Sequence, residues 1–204
     1  MDPLSPLTSE MNESAPRIGL LGGSFNPAHD GHREISLAAI KLFDLDAVWW
    51  LVSPGNPLKD PSVYAPYEER LRKARKTSRH HKIVVSDYER RRGLTYTADT
   101  ISALKDELPH VRFIWLMGAD SLSTFHKWRD WEDIINKVPL AVFNRPGAED
   151  ARRDAPALEA LRPAEVDLSG AAAMLYDEPP AWIFIPHTNN ATSSTDIRRQ
   201  KGLS

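Results

Sequence analysis

The sequence predicts an α/β domain built on a doubly wound, mostly parallel sheet with helices on both faces. Three observations lead there. Short apolar runs of strand length alternate with longer stretches whose apolar residues recur at helical spacing. The short runs lack the polar alternation of a half-exposed sheet, which places them inside, covered on both faces. Gly and Pro clusters follow several of the runs, where strands must end in loops.

Residues 1–16 mix Pro, Ser, Glu and Asn without periodicity and read as a flexible extension, with one domain expected over 17–204. Arg17 to Gly22 is an apolar run too short for a helix and ended by Gly22-Gly23, hence a buried strand. Arg33 to Phe43 puts Ile35, Ala38, Ala39, Leu42 and Phe43 on one helical face. Ala47 to Ser53 is the second strand, closed by Pro54-Gly55-Asn56-Pro57. Tyr67 to Arg79 is rich in helix formers and in acid-to-base i,i+4 pairs such as Glu68 and Arg72, and its cations read as a solvated face. Ile83 to Val85 is a short strand, Thr97 to Leu108 a helix stopped by Pro109, and Val111 to Met117 a strand stopped by Gly118. Trp131 to Lys137 and Leu140 to Asn144 repeat helix then strand. Periodicity weakens from Gly147 to Pro180, where a peripheral helix and long loops are expected. Trp182 to Ile185 is the last strand, and Ser194 to Gln200 the last helix, started by hydroxyl residues able to cap it.

Composition narrows the function. At 204 residues the chain can bury roughly 70% of its unfolded surface without staples. The absence of cysteine excludes disulfides, thiolate zinc sites and cysteine nucleophiles. With 26 Lys+Arg against 28 Asp+Glu, the net charge of −2 makes no electrostatic case for nucleic acid or a membrane surface. No apolar run approaches the roughly 18 residues of a membrane span, and the polar, acidic start is unlike a signal peptide, so a cytoplasmic location is expected. Oligomeric state, including a homo-oligomer, is left open.

Folds of this class bind ligands beyond the carboxyl ends of their strands, and the unusual residues lie there. The first such loop reads Gly22-Gly23-Ser24-Phe25-Asn26-Pro27-Ala28-His29-Asp30-Gly31-His32. Its glycines let backbone approach a ligand closely, and its amides, with those of the next helix start, favour a phosphate. It is neither the dinucleotide fingerprint nor a P-loop. Two histidines flanking Gly31 are suited to donating hydrogen bonds to phosphate oxygens and to charge that develops in a transfer reaction. Half of a metal site, or a helix-capping loop with incidental histidines, are the readings left open beside it.

This segment resembles the His/Thr-x-Gly-His motif of the nucleotidyltransferase superfamily, and Gly22 to Pro27 is similar to the lead-in of bacterial nicotinate-nucleotide adenylyltransferases. Near the other end, Ser193-Ser194-Thr195-Asp196-Ile197-Arg198 resembles that family's Ile-Ser-Ser-Thr-x-Ile-Arg signature, with Thr192 in place of Ile. Thr95-Tyr96-Thr97-Ala98-Asp99-Thr100 resembles its Ser-Tyr-Thr-x-Asp-Thr stretch, and Gly118-Ala119-Asp120-Ser121 followed by Trp128 and Trp131 its Gly-x-Asp-Ser…Trp pattern. Lys59 stands where the family's Pro-His-Lys lysine does, with Leu58 replacing His, and Asn144-Arg145-Pro146-Gly147 matches its Arg-Pro-Gly.

The resemblance runs in order from about Arg17 to Arg199 and implies a Rossmann-like nucleotidyltransferase fold. It also implies transfer of AMP from ATP to nicotinate mononucleotide, releasing pyrophosphate. The attacking phosphate oxygen is already anionic, so no general base is required and catalysis reduces to positioning and charge stabilisation. On this reading Gly22, Gly23, Ser24, Phe25, Gly118, Asp120, Ser193, Ser194 and Thr195 line the ATP site. His29, His32, Lys59 and Arg198 supply the catalytic contacts, His32 to the α-phosphate. Asn56, Lys59, Thr95, Tyr96, Thr97, Trp128 and Arg145 face the mononucleotide. Amides near Tyr96 and Thr97 would take its carboxylate, unless they merely start a helix. Trp128 would stack on the pyridine ring, whereas Trp131 reads as core. Mg²⁺ is expected on phosphate oxygens and water, with no dedicated protein ligands. The rivals are a relative preferring nicotinamide mononucleotide or a pantetheine phosphate, and a non-catalytic nucleotide-binding regulator.

Overall fold

The computed structural model describes residues 15–55, 64–144 and 151–186. Its six strands are β1 (Arg17–Gly23), β2 (Ala47–Val52), β3 (Ile83–Ser86), β4 (Arg112–Gly118), β5 (Leu140–Phe143) and β6 (Trp182–Ile185). They form one sheet in the order β3-β2-β1-β4-β5-β6, and all five pairings are parallel. The sheet is thus wholly parallel where the sequence predicted mostly parallel, because helices fill each crossover between consecutive strands. The helices are α1 (Asp30–Leu42), α2 (Tyr67–Ser78), α3 (Tyr88–Arg92), α4 (Thr97–Glu107), α5 (Ala119–Phe125), α6 (Trp131–Lys137), α7 (Ala151–Asp154) and α8 (Leu158–Leu161).

Strand β1 pairs with β2 on one side and with β4 on the other. The chain therefore winds outward in both directions from β1, and a crevice opens past the carboxyl ends of β1 and β4. Four indoles, of Trp49, Trp50, Trp115 and Trp182, are fully buried on the strands and fill the layers between sheet and helices.

Four departures from the expectations are informative. Helix α1 begins at Asp30 rather than Arg33, so Gly31 and His32 belong to its first turn. Helices α3 and α5 were not expected. Asp, Ser and Thr favour local side-chain bonds over helix, yet Leu122 and Phe125 of α5 are buried in the core and hold it helical. The 147–180 region is not peripheral where it is described. Leu158, Leu161, Met174 and Leu175 join the main core, and Val166 N–H bonds to the Trp182 carbonyl at 2.8 Å. Its elements are too short to show a period. Finally, Pro16 is tied to the sheet by the Arg112 amide at 2.8 Å. The helix expected at Ser194 to Gln200 lies outside the described residues.

Candidate active site

The end of β1 is shaped by packing from below. A Cβ on Gly22 would lie 2.4 Å from Cη2 of Trp115, so only glycine fits while that indole occupies the floor of the crevice. Gly23 is freer, since its added Cβ would meet only ordinary contacts with Phe25. Phe25 turns its ring inward, stacked on Trp50 with centroids 5.0 Å apart. Its backbone sits at φ 46°, a left-handed conformation that costs a non-glycine residue about 1 kcal/mol or more and needs a surrounding structure to hold it. What Phe25 offers a ligand is its main chain. Asn26 is buried and its side-chain oxygen accepts the Ala65 amide at 3.1 Å.

The two histidines meet at the start of α1, with ring centroids 3.8 Å apart. His29 is the N-cap residue, in extended backbone, and is buried; His32 occupies the third helical position and is half-buried. The His29 main-chain N–H donates to Nδ1 of His32 at 3.2 Å. That bond needs Nδ1 as acceptor, which leaves the ring proton on Nε2 in the neutral imidazole, so that Nε2–H is the ring's donor. A second relay holds the same residue: Trp50 Nε1–H donates to the Ser36 hydroxyl at 2.8 Å, and that hydroxyl donates to the His32 carbonyl at 2.8 Å. The helix-capping reading of these histidines is therefore real and uses the same atoms that orient His32. Among the described residues no group of three or more His, Asp or Glu is placed to hold a metal ion, so the half-metal-site reading gains no support there.

The other wall is built by α4 and the loop after α5. Tyr96 is the N-cap residue of α4, and its side chain makes no cap hydrogen bond. The first-turn amides of that helix are thus not taken by the Tyr96 side chain, contrary to a simple capping role for it. Trp128 is half-buried, edge-on to Trp115 at 6.3 Å and to Phe125 at 5.3 Å. Trp131, expected in the core, is half-buried too and meets the same Phe125 edge-on at 5.7 Å. Gly118 ends β4 and starts α5, while Asp120 is exposed on its first turn. Lys59, Asn56, Arg145, Ser193, Ser194, Thr195 and Arg198 lie outside the described residues.

Two cations escaped the sequence reading. Arg129, beside Trp128, lies over the Tyr96 ring at 4.3 Å and pairs with Asp99 and Asp130 at 3.5 and 3.1 Å. Nothing in its local pattern distinguishes it from other surface arginines. Arg70 is different. Within a run read as a solvated face it is only 2% exposed, and it shares the inward stripe of α2 with Leu71, Ala74 and Ser78. That i, i+1, i+4, i+8 spacing was the available signal. By contrast, Arg90, Arg91 and Arg92 of α3 are exposed.

Comparison with known proteins agrees with the fold. The profile of the cytidylyltransferase-like family matches residues 20–200. A "probable nicotinate-nucleotide adenylyltransferase" of Cereibacter sphaeroides is 51% identical over 181 residues, covering 89% of this chain and 96% of that one. A protein of the same name from Parvibaculum lavamentivorans is 45% identical over 188 residues, covering 92% and 94%. Among solved structures, the Plasmodium falciparum nicotinic acid mononucleotide adenylyltransferase complexed with NaAD superposes with a TM-score of 0.67. At 18% identity, over 90% of this chain and 83% of that one, the likeness is one of fold.

Proposed function

The chain belongs to the cytidylyltransferase-like family and, within it, to the nicotinate-nucleotide adenylyltransferases, and from that premise we propose how its residues carry AMP from ATP to nicotinate mononucleotide. The reaction forms nicotinate adenine dinucleotide and pyrophosphate. A phosphate oxygen of the mononucleotide attacks the α-phosphorus of ATP. The new P–O bond forms as the bond to the bridging oxygen of pyrophosphate breaks, in line. The nucleophile is already anionic, so no proton has to be removed, and the protein's work is alignment and stabilisation of charge.

His32 presents Nε2–H to the α-phosphate, where negative charge builds in the transition state. The observation that carries this role is the His29 N–H bond to Nδ1, because it sets the tautomer before substrate arrives. His29, Gly22, Gly23, Ser24 and the Phe25 main chain complete the phosphate loop, with Gly118 and Asp120 across the crevice. Lys59 and Arg198 add positive charge, and Ser193, Ser194 and Thr195 hold the outer phosphates. Mg²⁺ enters with ATP as part of the substrate. Mg²⁺ keeps several waters when phosphate oxygens hold it.

The amides at the start of α4, which the Tyr96 side chain does not cap, read the nicotinate carboxylate at Thr95, Tyr96 and Thr97. Trp128 stacks on the pyridine ring, and Asn56 and Arg145 contact the rest of the mononucleotide. We read the enzyme as a single domain over 17–204 acting in the cytoplasm on small molecules, without nucleic acid or membrane. Among the described residues no helix is long and apolar enough to cross a membrane.

The test is pyrophosphate release from MgATP with nicotinate mononucleotide, nicotinamide mononucleotide or phosphopantetheine, compared by kcat/KM. Strong preference for the acid is the expected result. Preference for the amide would overturn the carboxylate reading while keeping the chemistry. ATP binding without turnover on any acceptor would overturn the catalytic reading in favour of a regulator.

A further inference from the structure

We infer that Arg70, which makes no contact with the reacting atoms, is a positioning residue for adenylyl transfer: it aims the Phe25 amide into the phosphate site. Its guanidinium spends four hydrogen bonds on main-chain carbonyls from three separate segments. Nη1 donates to Ser24 O at 2.6 Å and to Ser53 O at 2.9 Å, Nη2 to Pro54 O at 2.8 Å, and Nε to Ala65 O at 3.1 Å. One side chain thereby ties the loop after β1 to the loop after β2 and to the lead-in of α2. The Tyr64 and Tyr67 rings flank it at 5.4 and 5.1 Å.

Peptide geometry turns this staple into a directional device. In a trans peptide the C=O and the following N–H point opposite ways. With the Ser24 carbonyl drawn onto Arg70, the Phe25 N–H faces away from it. Arg70 bonds the loop after β2 as well as the loop after β1, and β4 flanks β1 on the opposite edge from β2. The strained backbone of Phe25 is pinned at both ends, by the Arg70 bond to the preceding carbonyl and by its ring against Trp50. Charge adds to the effect. Among the described residues no carboxylate pairs with Arg70. Burial lowers its pKa, as expected of a desolvated cation, yet a guanidinium stays protonated. A buried charge without a described carboxylate partner is screened little by salt.

The inference rests on the reading that ATP phosphates lie against residues 22–29. Arg70→Met keeps bulk but loses charge and donors; Arg70→Lys keeps charge but cannot make four forked bonds. Kinetics are measured well below each variant's own melting temperature. The expected result for Arg70→Met is a kcat reduced roughly 10- to 100-fold with a raised KM for ATP, while KM for nicotinate mononucleotide stays within about twofold. Arg70→Lys should fall between it and the parent, and it alone is read if the Met variant does not fold. Leu71→Ala, on the same helix and also buried, should lower the melting temperature and leave both kinetic constants near the parent's. A folded Arg70 variant with unchanged kcat and ATP KM would overturn the positioning role, as would equal losses in Leu71→Ala. His32→Ala, run in parallel, separates the failures: if it too keeps full turnover, the phosphate reading itself has fallen.

Discussion

The two walls of the crevice are held in opposite ways. At the β1–α1 corner every orienting contact is internal: Trp50 to Ser36 to His32, the His29 amide to the same imidazole, and a buried guanidinium behind the loop. At the α4 corner Trp128 is half exposed, Arg129 is exposed, and its partners are surface carboxylates. Such exposed ion pairs contribute little to stability and weaken with salt. On the proposed reading of the site, the contrast suits two jobs: charge stabilisation loses its advantage if donors must reorient during the reaction, whereas recognition of a flat ring tolerates adjustment.

The contrast breaks most sharply at His32. His32→Ala should lower kcat by roughly 10² to 10³, about 2.7–4 kcal/mol of transition-state stabilisation. Steady-state pyrophosphate release measures it, and a variant with near-parent turnover at saturating substrate would remove the histidine from catalysis.

Next in size is a pH effect at α3, where it packs on α4. Glu89 on α3 is buried and raised to about 7, by desolvation above all and against the Thr100 hydroxyl bond. Its folded form therefore binds a proton more tightly than the unfolded chain does. Stability should be greatest near pH 4.5, fall as pH rises to about 7, and level off above. The upper bound is on the order of 3 kcal/mol. Glu69, Asp154 and Asp167 are shifted the other way, so the readout is the difference between the parent and Glu89→Gln in urea melts across that window. The variant should keep the Thr100 contact and lose the decline; parallel curves would show that Glu89 does not carry it.

Gly22→Ala tests whether the β1–α1 corner is rigid. Its methyl would overlap Trp115, and overpacking of this kind costs about 1–3 kcal/mol. Thermal unfolding should report the loss, and an unchanged melting temperature would mean that the indole yields. The smallest effect belongs to the α4 corner. Trp128→Ala should raise KM for nicotinate mononucleotide roughly 2- to 10-fold, the worth of one aromatic stacking pair. Its kcat should stay within a few-fold of the parent's. An unchanged KM would take Trp128 out of the stacking role.

How much of this was legible follows the range of the interactions involved. The six strands and the helices α1, α2, α4 and α6 could be read because apolar runs and 3.6-residue spacing are local signals. Helices α3 and α5 were not read, since five to seven residues hold too few periods and their stability comes from what they pack against. The histidine pair was legible as a motif. That His32 is aimed by the His29 amide was not, because it depends on α1 starting three residues early. Arg70 was hidden by its neighbours: four other cations between Arg72 and Lys76 suggested solvent, and only its place beside Leu71 and Ala74 hinted otherwise.

By itself the sequence determined the α/β class, the strand order along the chain, the absence of any cysteine chemistry, and the residues whose types suit phosphate and pyridine binding. These follow from periodicity, composition and short motifs, each confined to a few turns or one strand. The tertiary structure alone decided that β1 pairs with both β2 and β4 and so opens the crevice. It also decided that Trp115 fills the space a Gly22 side chain would need, and that a buried arginine gathers carbonyls from three distant segments. Apart from the Ala65 bond, five residues from Arg70, those outcomes depend on close packing between residues 16 to 95 positions apart, and packing at that range leaves no periodic trace in the chain.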